Sequence, residues 1–132
     1  IFHGEPPRAV SEVRVFCAGC LVVQGASFES DRELARRVAE HASFSEWPLL
    51  VVVDDIVQAT KDESTFLWTV FTRFEPAADL YAAKMELARH HPMYTPPIVI
   101  DARMKPWYPS EVQCDEQTAA LVEKRWSEYF AR

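Results

Sequence analysis

Residues 47–81, WPLLVVVDDIVQATKDESTFLWTVFTRFEPAADLY, decide how the chain folds. They open on a charge-free apolar run, Leu49–Val53, that ends abruptly on Asp54 and Asp55. A short β-branched run between Pro48 and two carboxylates predicts a strand buried on both faces. A polar connection over residues 58–63 follows, and then Phe66, Leu67, Val70, Phe71 and Phe74 recur at helical spacing. At about 100° per residue these five positions fall within roughly 140° of arc, one helix face. Trp68 lies about 60° beyond that arc, which widens the stripe toward something other than the local core. Pro76 ends the helix, because proline supplies no N–H and clashes with the preceding turn. The expected unit is a buried strand, an acidic loop at its carboxyl end, and a helix packed back on the sheet.

Outward from this unit, residues 12–28 (EVRVFCAGCLVVQGASF) are rich in Val and Phe and are interrupted by Ala18-Gly19. They predict two strands, near 13–17 and 20–24, joined by a tight turn or a bulge. Ser30 with Glu33 three residues on reads as a capping box. The helix it would start buries Leu34, Ala35, Val38, Ala39 and Ala42, and turns Arg32, Arg36, Arg37 and Glu40 outward. Residues 1–11, with two prolines and a glycine, read as an incoming linker. Downstream, residues 79–83 predict a short strand, residues 84–97 with their three prolines a covering loop, and the IVI run at 98–100 a further buried strand ending on Asp101. Residues 103–109 form a basic and aromatic exit segment, and a last helix is expected over 115–130 with Ala119, Val122, Trp126, Tyr129 and Phe130 on one face. Strands alternating with helices predict an α/β fold, a single layered domain over residues 12–132 with a mixed β-sheet flanked by about three helices.

The 132-residue length suits one domain with one core, and the composition, 48% apolar with three glycines, is that of a globular protein. A formal charge of −6 argues against nucleic acid as a partner, since phosphate binding needs a basic surface. No apolar run reaches the roughly 20 residues of a membrane span, so no membrane partner is expected either. Three cysteines, an odd number, fit a reducing cytoplasm.

Candidate chemistry is sparse. Cys17 and Cys20 form a C-x-x-C, but on a strand turn with no second ligand pair, so buried cross-strand thiols are the favoured reading. His90 and His91 are adjacent and cannot face one ligand from a regular element. Asp54, Asp55 and Asp101 sit where open α/β sheets place ligands; the structural alternative has them cap turns or pair with Arg73 or Arg103. A stand-alone metal hydrolase using Asp54, Asp55 and His90 lacks any ligand spacing to support it.

The residues Val51 to Asp55, then Trp68, Thr72, Arg73, Pro76 and Asp79, resemble the V-V-V-D-D run and the W-x-x-x-T-R-x-x-P-x-x-D block of the UbiD family, the prenylated-flavin-dependent aromatic and acrylic acid (de)carboxylases. Ile100, Asp101, Ala102, Lys105 and Pro106 are similar to that family's G-I-D-A-T-x-K-P element. The chain departs from the pattern at Ile56, where the family has a third acidic residue, and at Val99 and Arg103, where it has glycine and threonine. The resemblance covers the family's carboxyl-terminal domain. It implies a lid and dimerisation domain, or a small subunit, without catalytic residues of its own. Prenylated FMN and its divalent metal would sit in flavin-binding domains elsewhere, in the same chain or a separate subunit. On this reading Met85, Glu86 and Leu87 line the substrate pocket, while Asp54, Asp55, Trp68, Thr72, Arg73, Pro76, Asp79 and Asp101 are scaffold. The alternative is an assembly or interaction module derived from such a domain. The terminal helix, through Trp126, Tyr129 and Phe130, would dock on a second copy to make a homo-oligomer, or else pack on its own sheet.

Overall fold

A computed structural model of the chain describes residues 2–110 and 114–129. In chain order its elements are β1 (Val10–Cys17), β2 (Cys20–Gly25), α1 (Leu34–Glu40), a 3-10 turn (Ala42–Phe44), β3 (Leu49–Val53), α2 (Ile56–Ala59), α3 (Glu63–Thr72), β4 (Leu80–Ala88), β5 (His91–Asp101) and α4 (Glu116–Tyr129). The strands form one mixed sheet in the order β1-β2-β3-β5-β4. The central three, β2, β3 and β5, run parallel, and antiparallel hairpin partners close both sides.

The apolar run at Leu49–Val53 is the middle strand and is buried on both faces, as its composition demands. Strand alternation divides its side chains between two clusters. Leu50 and Val52 meet Leu21, Val23, Val99 and the α1 residues Leu34, Ala35, Val38 and Ala39. Val51 and Val53 meet Val22, Ile56, Ala59, Val70 and Ala102 on the other side. At roughly 1.5–3 kcal/mol for each fully buried aliphatic side chain, these two layers are the main stabilising term.

Several elements differ from what the sequence predicts. Helix α1 starts at Leu34, later than the Ser30 capping box implies, because the Ser27 and Ser30 hydroxyls bond each other at 2.9 Å and Asp31 is drawn to Arg37. Ala42 lies on the 3-10 turn that follows the helix, and the residue this turn buries is Phe44. Residues 2–9, predicted as a linker, lie on the body: the Phe2 ring stacks on Phe44 at 5.0 Å, and Ser43 Oγ donates to the Glu5 carbonyl at 2.8 Å. Helix α3 turns Phe66 and Val70 inward but leaves Leu67 and Phe71 52% and 69% exposed, so only part of the predicted stripe packs on the sheet. Helix α4 forms close to the predicted span, with Asp115 Oδ1 accepting from the Thr118 N–H at 2.8 Å, yet none of its side chains is buried. Phe130 lies outside the described residues.

The largest departure is at 84–97. This stretch is the outer part of the β4–β5 hairpin, which projects past the rest of the sheet with nearly every side chain exposed. Among the described residues β5 has only β4 as neighbour beyond the sheet body, so prolines facing the open side cost no ladder hydrogen bond. Pro96 and Pro97 sit at a bulge: Ala82 pairs with Ile98 and Lys84 with Thr95, so two residues oppose Ala83 alone. The turn itself is Arg89-His90, with φ of 51° and 68°. Two positive φ values make the mirror-image turn that matches strand twist, but side chains with a Cβ are strained there by about 1–2 kcal/mol each. Replacing the pair by Asn-Gly is therefore expected to slow amide exchange at Glu86 and Met93, register partners two residues out from the pair that closes the turn, by about tenfold or more, one decade per 1.4 kcal/mol. Unchanged protection would mean the turn stores no strain.

Candidate functional site

The polar groups of the domain gather at the carboxyl ends of the three parallel strands, where β2 ends near Gln24, β3 before Asp54 and β5 on Asp101. Gln24 Oε1 accepts from the Ile56 N–H at 2.8 Å, tying the start of α2 to β2. Asp55 caps α2, its Oδ1 accepting from the Gln58 N–H at 2.9 Å. Asp54 Oδ2 accepts from the Met104 N–H at 2.7 Å and pairs with Arg73 at 3.5 Å.

Beneath these lies a buried ionic floor. Asp101 and Arg103 are both fully buried, and the guanidinium grips the carboxylate in a fork, Nε to Oδ1 at 2.8 Å and Nη2 to Oδ2 at 2.7 Å. The other terminal nitrogen donates to the carbonyls of Ala26 and Asp31 at 2.8 and 2.9 Å. Lys105, also buried, pairs with Asp79 at 3.0 Å and donates to the carbonyls of Arg73 and Asp101. Asp79 Oδ2 also accepts from the Glu75 N–H at 2.8 Å and lies 3.4 Å from the Tyr108 hydroxyl. The Phe28 ring covers both cations, with centroid distances of 5.4 Å to Arg103 and 5.8 Å to Lys105. Burying four charges costs several kcal/mol each. Here they cancel in pairs, and no buried side-chain nitrogen or oxygen among the described residues lacks a partner. Burial, and next the Asp79 carboxylate, raise the Tyr108 hydroxyl above its ordinary value, so it stays a proton donor at neutral pH.

The floor unites residues that the sequence scatters. Asp79, Asp101 and Arg73 all reach it, with Asp54 above. Thr72 and Pro76 are exposed, the Thr72 hydroxyl bonding the Trp68 carbonyl at 2.7 Å. Trp68 is 61% exposed and, with Thr72, Arg73, Met104 and Tyr108, lines a mostly apolar cavity of about 200 Å³. Met85, Glu86 and Leu87 lie on the projecting hairpin. Alternation puts Met85 and Leu87, opposite Tyr94 and Pro92, on one face, while Glu86 opposes Met93 on the other and pairs with Lys84 at 2.6 Å. The three therefore do not share one wall. Lys105, Tyr108 and Phe28 escaped sequence reasoning; the K-P of the exit segment was the only hint. Among the described residues no group of three or more His, Cys, Asp or Glu could hold a metal ion, and no helix is long and apolar enough to cross a membrane.

The strand-end carboxylates of the mixed sheet are thus engaged by the protein's own donors. No family model matches the chain. It is 40% identical over 129 residues to a Chlamydia pneumoniae protein named as a subunit of 4-hydroxybenzoate decarboxylase, and 36% identical over 129 residues to an uncharacterised protein of Chlamydia trachomatis. Each match covers 98% of this chain but 22% of the relative, so the chain spans less than a quarter of their length. In structure it is similar to the vanillic acid decarboxylase of Sedimentibacter hydroxybenzoicus in its open form, with a TM-score of 0.53 at 14% identity over 94% of this chain and 30% of that one. In sequence the chain thus matches one portion of longer proteins, one of them named as a decarboxylase subunit, and in fold it matches part of a solved decarboxylase.

Proposed function

We propose that this domain is the non-catalytic cover and assembly part of a UbiD-like cytoplasmic (de)carboxylase of aromatic or unsaturated acids. Prenylated FMN and its divalent metal would then be held by flavin-binding domains outside these residues. The observation that carries this reading is the end-to-end match with a decarboxylase subunit several times longer, so that the same sequence pattern occurs as one portion of a larger enzyme. The strand-end carboxylates are occupied by Arg103, Lys105 and backbone donors. In this reading the ionic floor holds the shape of the cover, and the apolar surface left open on α3 (Leu67, Trp68, Phe71) and on the hairpin (Met85, Leu87) meets the rest of the enzyme.

The test is carbon dioxide release from 4-hydroxybenzoate by the long enzyme, with and without this segment. Deletion is expected to abolish turnover while the flavin stays bound to the remainder. An isolated 132-residue chain that bound flavin stoichiometrically and decarboxylated the acid would overturn the proposal. Assembly has its own test. Val122, Trp126 and Tyr129 on α4 are 38–56% exposed, so Trp126→Glu is expected to lower the mass seen by light scattering without lowering the melting temperature. Unchanged mass with reduced stability would instead mean that α4 packs on its own chain.

A further inference from the structure

The turn between β1 and β2 holds the C-x-x-C at its mouth. Cys17 and Cys20 are register partners across the hairpin, with Ala18 and Gly19 as the two turn residues. Gly19 has φ +82°, and a Cβ there would stand 3.2 Å from the Pro48 ring, so the turn takes glycine on both counts. Its carbonyl accepts from the Leu49 N–H at 3.2 Å, which fastens the turn to the start of β3. The two cysteines consequently stand opposite each other across the hairpin. Directly opposed residues of an antiparallel pair have Cα atoms about 4.5–5.5 Å apart, inside the roughly 4.4–6.8 Å span that a disulfide bridges. The pair is also asymmetric: Cys17 is exposed, whereas Cys20 is 4% exposed. Burial, and next the neighbouring Cys17, push the Cys20 thiol up to about 11. It therefore stays protonated at neutral pH and leaves the first attack to its partner.

We propose that Cys17 and Cys20 form a thiol–disulfide exchange site for small-molecule disulfides of the glutathione class, with Cys17 as the attacking sulfur and Cys20 as the resolving one. The Cys17 thiolate attacks one sulfur of the small disulfide, forming a mixed disulfide and expelling one thiolate. The Cys20 thiol then gives up its proton as its sulfur attacks that of Cys17, and the second small thiolate leaves. The balance is one protein dithiol and one small disulfide going to one protein disulfide and two small thiols. A metal half-site is the competing use of a C-x-x-C, but no third ligand joins the pair among the described residues. A permanent structural crosslink is also disfavoured. Bridging a two-residue turn constrains the unfolded chain little, and a bond reachable from solvent is readily reduced.

Incubation of the full chain, carrying Cys114→Ser to remove the remaining thiol, with glutathione disulfide at neutral pH tests this. Thiol counting should fall from two to none and the intact mass by two hydrogens, with full recovery on adding dithiothreitol. Adding Cys20→Ala should trap a glutathione adduct on Cys17. Should that variant misfold, Cys17→Ser at the exposed position gives the complementary result, a Cys20 thiol that stays unmodified. A parent chain that keeps both thiols, or that stalls as a stable adduct on Cys17, would overturn the proposal.

Discussion

Asp101→Ala is expected to destabilise the domain by about 3–5 kcal/mol, the usual cost of removing one partner from a buried ion pair. The Arg103 fork would lose the acceptor of both its bonds, while its third nitrogen stays committed to the carbonyls of Ala26 and Asp31. The substitution would leave a guanidinium dry and half satisfied, with Phe28 above it. Native domains are stable by only about 5–15 kcal/mol, so the loss should be plain in a urea titration as a lower midpoint with an unchanged slope. Asp101→Ala combined with Arg103→Met should recover part of the loss, since removing both charges also removes the desolvation cost. A single variant within about 0.5 kcal/mol of the parent would show that the floor contributes little to stability.

Phe44→Ala should cost about 3–5 kcal/mol, as large-to-small changes at buried aromatics do. Phe44 is fully buried in the cluster with Leu21, Leu50 and the inner face of α1, and the Phe2 ring lies on it. Its loss would open a cavity and also release the segment before β1. Thermal unfolding followed by circular dichroism reads the first effect. Faster proteolysis ahead of Val10 in the variant reads the second, and equal cleavage in variant and parent would show that Phe2 does not hold the segment down.

The legible parts of the fold share a cause. Leu49–Val53 declares itself because a strand covered on both faces must be apolar throughout, and α4 does so through its stripe and its Asp115 cap. Where several signals compete, the contacts actually formed decide the boundary. Ser30 carries a good cap sequence, but its hydroxyl is taken by Ser27 and the helix waits for Leu34. The hairpin at 84–97 was hidden by prolines that a strand tolerates only because one side of it is open and a bulge absorbs two of them. The ionic floor was half visible. Asp101 with Arg103 could be guessed from spacing, whereas the Asp79–Lys105 pair joins residues that only the folded sheet brings together.

The two-sided burial of β3 has a consequence for how the strand finds its place. Leu50 and Val52 could exchange faces with Val51 and Val53 at small cost in transferred area, because both sides want aliphatics. Greasy side chains therefore cannot tell the strand which way up to lie. The instruction comes from its end, where Asp54 must meet the Met104 amide and Gln24 must meet that of Ile56. A deletion of one residue within 49–53 would keep the core oily and still misalign those contacts, so the polar fringe acts as the alignment pin of the whole sheet.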